Sequence, residues 1–127
     1  MIGRVIMPFE PLNFGGRGQV AMTIDVSMRL RFSAKAVKEL ALTQFTPVVV
    51  SVDVENKRIG VAKQELAKVP NASTVRPDKR NYLGTKAGKD VCDKLALTKA
   101  DLPATFKYVG KVDEGTVYWH AFELNRG

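Results

Sequence analysis

At 127 residues the chain fits one domain and is long enough to bury a core without disulfide or metal staples. With 45% hydrophobic and 26% charged residues it has ordinary globular composition, which excludes a disordered tail, and no apolar run approaches the ~20 residues that span a bilayer. Twenty Lys and Arg against thirteen Asp and Glu give a net charge of +7. Such a chain is drawn to polyanions, but charge alone does not choose among DNA, RNA, an anionic membrane surface and an acidic protein.

Residues 1–19 read as an N-terminal strand and a Gly-rich loop. The apolar start, which includes Val5, Ile6, Met7 and Phe9, is broken by Pro8 and Pro11 and has no small-residue cleavage site, unlike a signal peptide. Cys92 is the only cysteine, which places the protein in a reducing cytoplasm. Asn13-Phe14-Gly15-Gly16-Arg17-Gly18 lacks the Lys-Ser/Thr end of a phosphate loop and precedes a strand. It reads as a flexible loop or as a basic tongue that carries Arg17 to a phosphate.

From Val20 to Phe32, apolar residues alternate with Ala21, Thr23, Asp25, Ser27, Arg29 and Arg31, which predicts one long half-buried strand with both arginines on its outer face. Ser33 then caps a short helix, Ala34 to Leu42, with Ala36, Val37, Leu40 and Ala41 on one stripe. After Pro47, Val48 to Glu55 alternates as a strand. A turn at Glu55-Asn56-Lys57, where Asn tolerates positive φ, leads to a third strand, Arg58 to Lys63. Residues 64–78 read as a linker loop, marked by Pro70, Asn71, Ser73, Pro77 and Asp78. A short strand is predicted at Lys79–Leu83, a helix at Lys86–Leu97, a strand at Thr105–Val112, a turn at Asp113-Glu114-Gly115 and a last strand at Thr116–Leu124.

Leu40-Ala41-Leu42-Thr43 recurs as Leu95-Ala96-Leu97-Thr98, each time ahead of a proline and a hairpin. The expected fold is therefore α+β: a single domain over 1–127, built of two tandem β-α-β-β units, 20–63 and 79–127. The units form a pseudo-two-fold with mainly antiparallel sheet. The stretch from Arg31-Phe32-Ser33-Ala34 through Val52-Asp53-Val54-Glu55-Asn56-Lys57-Arg58-Ile59-Gly60-Val61 resembles a pattern in small uncharacterised phage and bacterial proteins. In these a helix opening in Phe-Ser is followed by a hairpin with an Asn-Lys-x-Ile-Gly turn. The resemblance implies a phage or bacterial origin and an accessory or regulatory role, and it transfers no catalytic residue.

Little in the sequence points to catalysis, which needs a nucleophile, a base and a stabiliser together. Cys92 reads as a core thiol, His120 as a satisfied or exposed strand residue, and Asp113 and Glu114 as turn residues. One Cys and one His cannot supply a structural zinc set. No catalytic residue, metal or cofactor is assigned, and the protein reads as a binder. Arg76, Lys79, Arg80, Lys86 and Lys89 crowd one polar segment around Tyr82, opposed by Asp78, and lead into a helix N-terminus that also favours anions. Arg29 and Arg31 form a second set, which Lys107 and Lys111 join if the alternation holds. Tyr82, Tyr108 or Tyr118 would stack on unpaired bases where exposed, whereas Tyr108, Trp119 and Phe122 more commonly belong to a core. The expected partner is a nucleic acid, DNA before RNA, bound by Arg76, Lys79, Arg80, Tyr82, Lys86, Lys89, Arg29, Arg31 and Arg17. The alternative is a host protein held by a regulator or inhibitor through strand edges and the apolar N-terminal segment. No membrane partner is expected, and a homo-oligomer stays open.

Overall fold

The computed structural model describes residues 19–67, 69, 72–115 and 117–125. The readings made for 1–18, Arg17 and the apolar N-terminal segment included, lie outside these residues. The fold is α+β. Among the described residues, eight strands form one antiparallel sheet in the order β5-β3-β4-β8-β7-β1-β2-β6. They are β1 Ala21–Ile24, β2 Leu30–Phe32, β3 Val48–Asp53, β4 Arg58–Lys63, β5 Thr74–Val75, β6 Tyr82–Gly84, β7 Ala104–Asp113 and β8 Tyr118–Leu124. The α-helices among the described residues are α1 Ala34–Glu39, α2 Gln64–Ala67 and α3 Thr85–Leu95.

The sheet curls into a near-barrel. Helix α3 packs against β3 on one side and against β2 and β6 on the other, so it stands between the two ends of the strand order. Its buried residues Gly88, Val91, Cys92 and Leu95 face the sheet, and Met22, Ile24, Leu30, Phe32, Ile59, Phe106 and Phe122 complete a continuous core. Fully burying each large apolar side chain contributes roughly 1.5–3 kcal/mol, and Phe32, Phe106 and Phe122 are wholly buried. A smaller cluster of Val49, Ala62, Ala67 and Val117, with Trp119 against it, lies apart from that core. Lys57 Nζ ties the β3–β4 turn to the end of α3 by donating to the Leu95 carbonyl at 3.0 Å.

The long strand predicted over 20–32 is a hairpin instead. Alternation survives because Met22 pairs with Phe32 and Ile24 with Leu30, all four facing the core. Between them the backbone turns on Asp25, whose Oδ1 accepts from the Ser27 and Arg29 amides, each at 2.9 Å, while Met28 takes a φ of 64°. Val26, counted into the apolar face, is 66% exposed. The helix at 34–42 is shorter than predicted, but Ser33 caps it as expected: its Oγ accepts from the Ala36 amide at 3.1 Å. In the β3–β4 turn the positive φ falls on Lys57, not Asn56, because the Asp53 carboxylate holds both the Asn56 amide and its side chain.

The segment read as a linker, 64–78, carries α2 and the short strand β5, which pairs with β3 through Val48 and Val49. Residues 79–81 are turn, so the predicted strand at Lys79–Leu83 moves to Tyr82–Gly84. This turn repeats the geometry of the first. Asp78 Oδ1 accepts from the Arg80 amide at 2.8 Å and the Tyr82 amide at 2.9 Å, and Asn81 has a φ of 70°. The two α-helix ends also match. Ala41 and Ala96 both take left-handed φ, and the Leu42 and Leu97 amides donate to the carbonyls of Val37 and Cys92, each at 2.9 Å.

Candidate nucleic-acid interface

Strand pairing sets the core of the site. Thr105 lies opposite Thr23, Thr23 opposite Arg31, and Arg31 opposite Tyr82, so these four residues form one row across β7, β1, β2 and β6. Their chain neighbours Ala104, Phe106, Met22, Ile24, Leu30, Phe32 and Leu83 are buried, which puts the row on the outer face. With neighbouring strands ~4.8 Å apart the row is about 14 Å long. At its β6 end the guanidiniums of Arg29 and Arg31 lie 4.6 Å and 5.4 Å from the Tyr82 ring centroid. Both distances fall within cation–π range, and each planar guanidinium has a face on which a further ring can stack.

Two carboxylates fix this cluster. Asp25 Oδ2 pairs with Arg29 Nε at 2.8 Å. Desolvation pushes the Asp25 carboxyl upward, but hydrogen bonds from the Arg29 amide, the Arg29 side chain and the Ser27 amide outweigh it, so it ionises more readily than usual. Asp78 is likewise held below the ordinary carboxylate value, first by the Tyr82 amide and then by that of Arg80, with the charges of Arg80 and Arg29 adding to the effect. The Asp78 turn leads directly into Tyr82, and it is anchored to β2 by the Phe32 amide donating to the Asn81 carbonyl at 2.9 Å.

Of the predicted site residues, Arg29, Arg31 and Tyr82 thus come together, and Arg80 is exposed in the turn two residues before Tyr82. Arg76 and Lys79 are exposed on the same loop. Lys86 lies elsewhere, in a cavity of ≈ 510 Å³ between α3 and β3 whose lining includes Val50, Val75, Asp90 and Asp93. Lys89 is exposed on α3. Lys107 shares the outer face, opposite Ala21. Lys111 does not: a bulge between Tyr108 and Gly110 advances β7 by one residue and turns Lys111 to the face of His120 and Val61.

Two cations were not singled out in the sequence. Lys35 and Lys38 of α1, with Glu39, wall a cavity of ≈ 680 Å³ floored by Ala21, Thr23 and Thr105 and bounded by Arg31. Their spacing of three along a helix whose Ala36 is buried was the available signal. The Ser33 hydroxyl at this cavity is already used: it accepts from the Ala21 and Ala36 amides and donates to the Gln19 carbonyl.

The remaining reactive groups are apart from this surface. Cys92 is buried, and its thiol is pushed up by burial and then by Asp93 and Asp101. His120 Nδ1 sits 3.0 Å from the Tyr108 hydroxyl, and its pKa is lowered by burial and then by Lys111 and Lys63. Among the described residues there is no group of three or more His, Cys, Asp or Glu placed to hold a metal ion, and no helix is long and apolar enough to cross a membrane. The chain matches no protein-family model, no curated protein and no solved structure.

Proposed function

We propose that this chain is a non-catalytic, cytoplasmic nucleic-acid-binding protein, accessory or regulatory in role and of the phage or bacterial kind that its helix-hairpin segment resembles. The observation that carries the reading is the pair of guanidiniums, Arg29 and Arg31, over the Tyr82 ring on an outer sheet face, with exposed Arg76, Lys79 and Arg80 in the loop that leads into Tyr82. Guanidiniums contact phosphates and stack on bases, so one cluster supplies both the electrostatic and the stacking part of binding. The net charge of +7 adds long-range attraction.

We also infer an internal duplication, in a unit one strand longer than the sequence suggested. If β1 corresponds to β5, β2 to β6, α1 to α3, β3 to β7 and β4 to β8, the order β5-β3-β4-β8-β7-β1 reads the same from either end. The paired Asp25 and Asp78 turns and the matched helix ends support that correspondence. The halves then meet at β4/β8 and at β2/β6, and the arginine–tyrosine stack sits on the second junction.

The test is fluorescence anisotropy of labelled DNA and RNA oligonucleotides with the full chain and with the R29A/R31A variant. Binding by the full chain and its loss in the variant is the expected result; equal binding by both would remove the site. A second reading, a regulator that docks on a protein, has one observation in its favour: Phe45 is 75% and Leu66 is 68% exposed. On that reading, Phe45→Ser and Leu66→Ser abolish a partner interaction and leave nucleic acid irrelevant.

A further inference from the structure

We infer that the nucleic acid is single-stranded and that it crosses the sheet through the α1 groove, with Lys35 and Lys38 as additional phosphate contacts. This inference rests on the nucleic-acid reading and extends it to a ligand class and a path. The groove and the stack are continuous, because Arg31 bounds the ≈ 680 Å³ cavity on one side and lies over Tyr82 on the other. A chain laid along the Thr105–Thr23–Arg31–Tyr82 row places its phosphates between Lys35, Lys38 and Arg31 and delivers a base to the guanidinium faces.

Two arguments select a single strand. The cavity falls within the roughly 300–1,000 Å³ of small-ligand sites, which admits a nucleotide or two and not a duplex rod. Stacking on the arginine planes also requires a base with a free face, which paired and stacked bases do not offer. The basic lining is not a by-product of the fold. At the corresponding place in the other half, the cavity between α3 and β3 carries Asp90 and Asp93 where the first carries Lys35 and Lys38. With Lys86 and Lys94 also lining it, the second cavity is balanced in charge, whereas the first sets Arg31, Lys35 and Lys38 against Glu39 alone and is net positive, which suits it to a polyanion.

The experiment compares the full chain, K35E/K38E and K86E/K94E for binding to oligo-dT, oligo-rU and a blunt DNA duplex, each of about 12 units, long enough for one small single-strand site. The two variants undergo the same change in net charge, so the second controls for long-range attraction, and a urea midpoint confirms that each is folded. The expected result is binding of one or both single strands, at least about tenfold weaker for the duplex and about tenfold weaker in K35E/K38E, with K86E/K94E close to the unaltered chain. The dT and rU arms decide between DNA and RNA. Duplex binding as tight as single-strand binding, or an unaffected K35E/K38E beside a weakened R29A/R31A, would overturn this inference and leave the proposed function standing. Absence of binding to all three would overturn both.

Discussion

Gly88 decides how closely α3 can approach the turn that carries Arg29, and two effects of replacing it oppose each other. Ala is the better helix former by about 0.8–1.0 kcal/mol, so propensity alone predicts that Gly88→Ala stabilises the protein. A Cβ at this position would, however, fall on the Met28 carbonyl oxygen and 2.9 Å from the Met28 carbonyl carbon. The obstacle is backbone held by the Asp25 turn, not the tip of a flexible side chain. Overpacking costs typically 1–3 kcal/mol, and a collision with fixed backbone belongs at or above the upper end. The net expectation is destabilisation by about 2 kcal/mol, or a urea midpoint lower by about 1 M at unchanged slope for a slope near 2 kcal/mol/M. Lys89→Ala, one residue along and exposed, should change stability by no more than about 0.5 kcal/mol. Because the strain is released by moving residues 25–29, Gly88→Ala should also weaken oligonucleotide binding. A Gly88→Ala protein more stable than the unaltered chain would refute the close approach.

Phe106 is wholly buried between β1 and β8, and Phe106→Ala should cost about 3–5 kcal/mol by urea denaturation. The folded pKa of His120 lies below the ordinary histidine value of 6.5 because burial, then Lys111 and Lys63, disfavour the charged ring. The unfolded chain therefore takes up the proton first as pH falls. This contribution is intact above about 6.5, near the unperturbed His value, and is lost as pH drops from there through the folded pKa. Urea midpoints of the unaltered chain should fall from pH 7 to pH 5, and His120→Leu should show a smaller fall over the same range; an equal fall would remove His120 as the cause. Cys92 should react with a thiol reagent only as fast as the fold opens, so added urea should accelerate labelling; rapid labelling of the native protein would contradict its burial.

The β3–β4 and β7–β8 hairpins and helices α1 and α3 were legible in the sequence because their signals are local, such as Ser33 before a helical stripe, alternating valines at 48–54 and a Gly at the 113–115 turn. What the sequence hid was side chain-to-backbone capture. Val26 and Met28 continue the alternation of 20–32, and only the Asp25 carboxylate, holding the amides of Ser27 and Arg29, converts the run into a hairpin. The same capture by Asp78 displaces the predicted strand at 79–83, although Asp two residues before Ser27 or Arg80 was available as a turn signal.

The candidate site was half legible. Arg31 and Tyr82 carry their charge and aromaticity on the page, but their meeting depends on β2 pairing with β6, a contact between residues some fifty positions apart in the chain. Lys111 was misplaced because the bulge at Gly110, with a φ of 112°, shifts the phase of β7 without disturbing its apolar pattern. Lys35 and Lys38 lie off the apolar stripe of a short helix, and only the fold brings them beside Thr23 and Thr105. Lys86, counted into the basic segment in sequence, is carried by α3 to a cavity it shares with Asp90 and Asp93.

The salt dependence of single-strand binding tests the central claim most directly. The logarithm of the association constant should fall linearly with the logarithm of salt between about 50 and 200 mM, with a slope near −0.7 for each phosphate contacted. Contacts from Arg31, Lys35 and Lys38 give an expected slope of about −2 for the unaltered chain and a shallower one, by about 0.7, in Arg31→Ala. A flat salt response, or an Arg31→Ala slope equal to that of the unaltered chain, would contradict phosphate binding at this face.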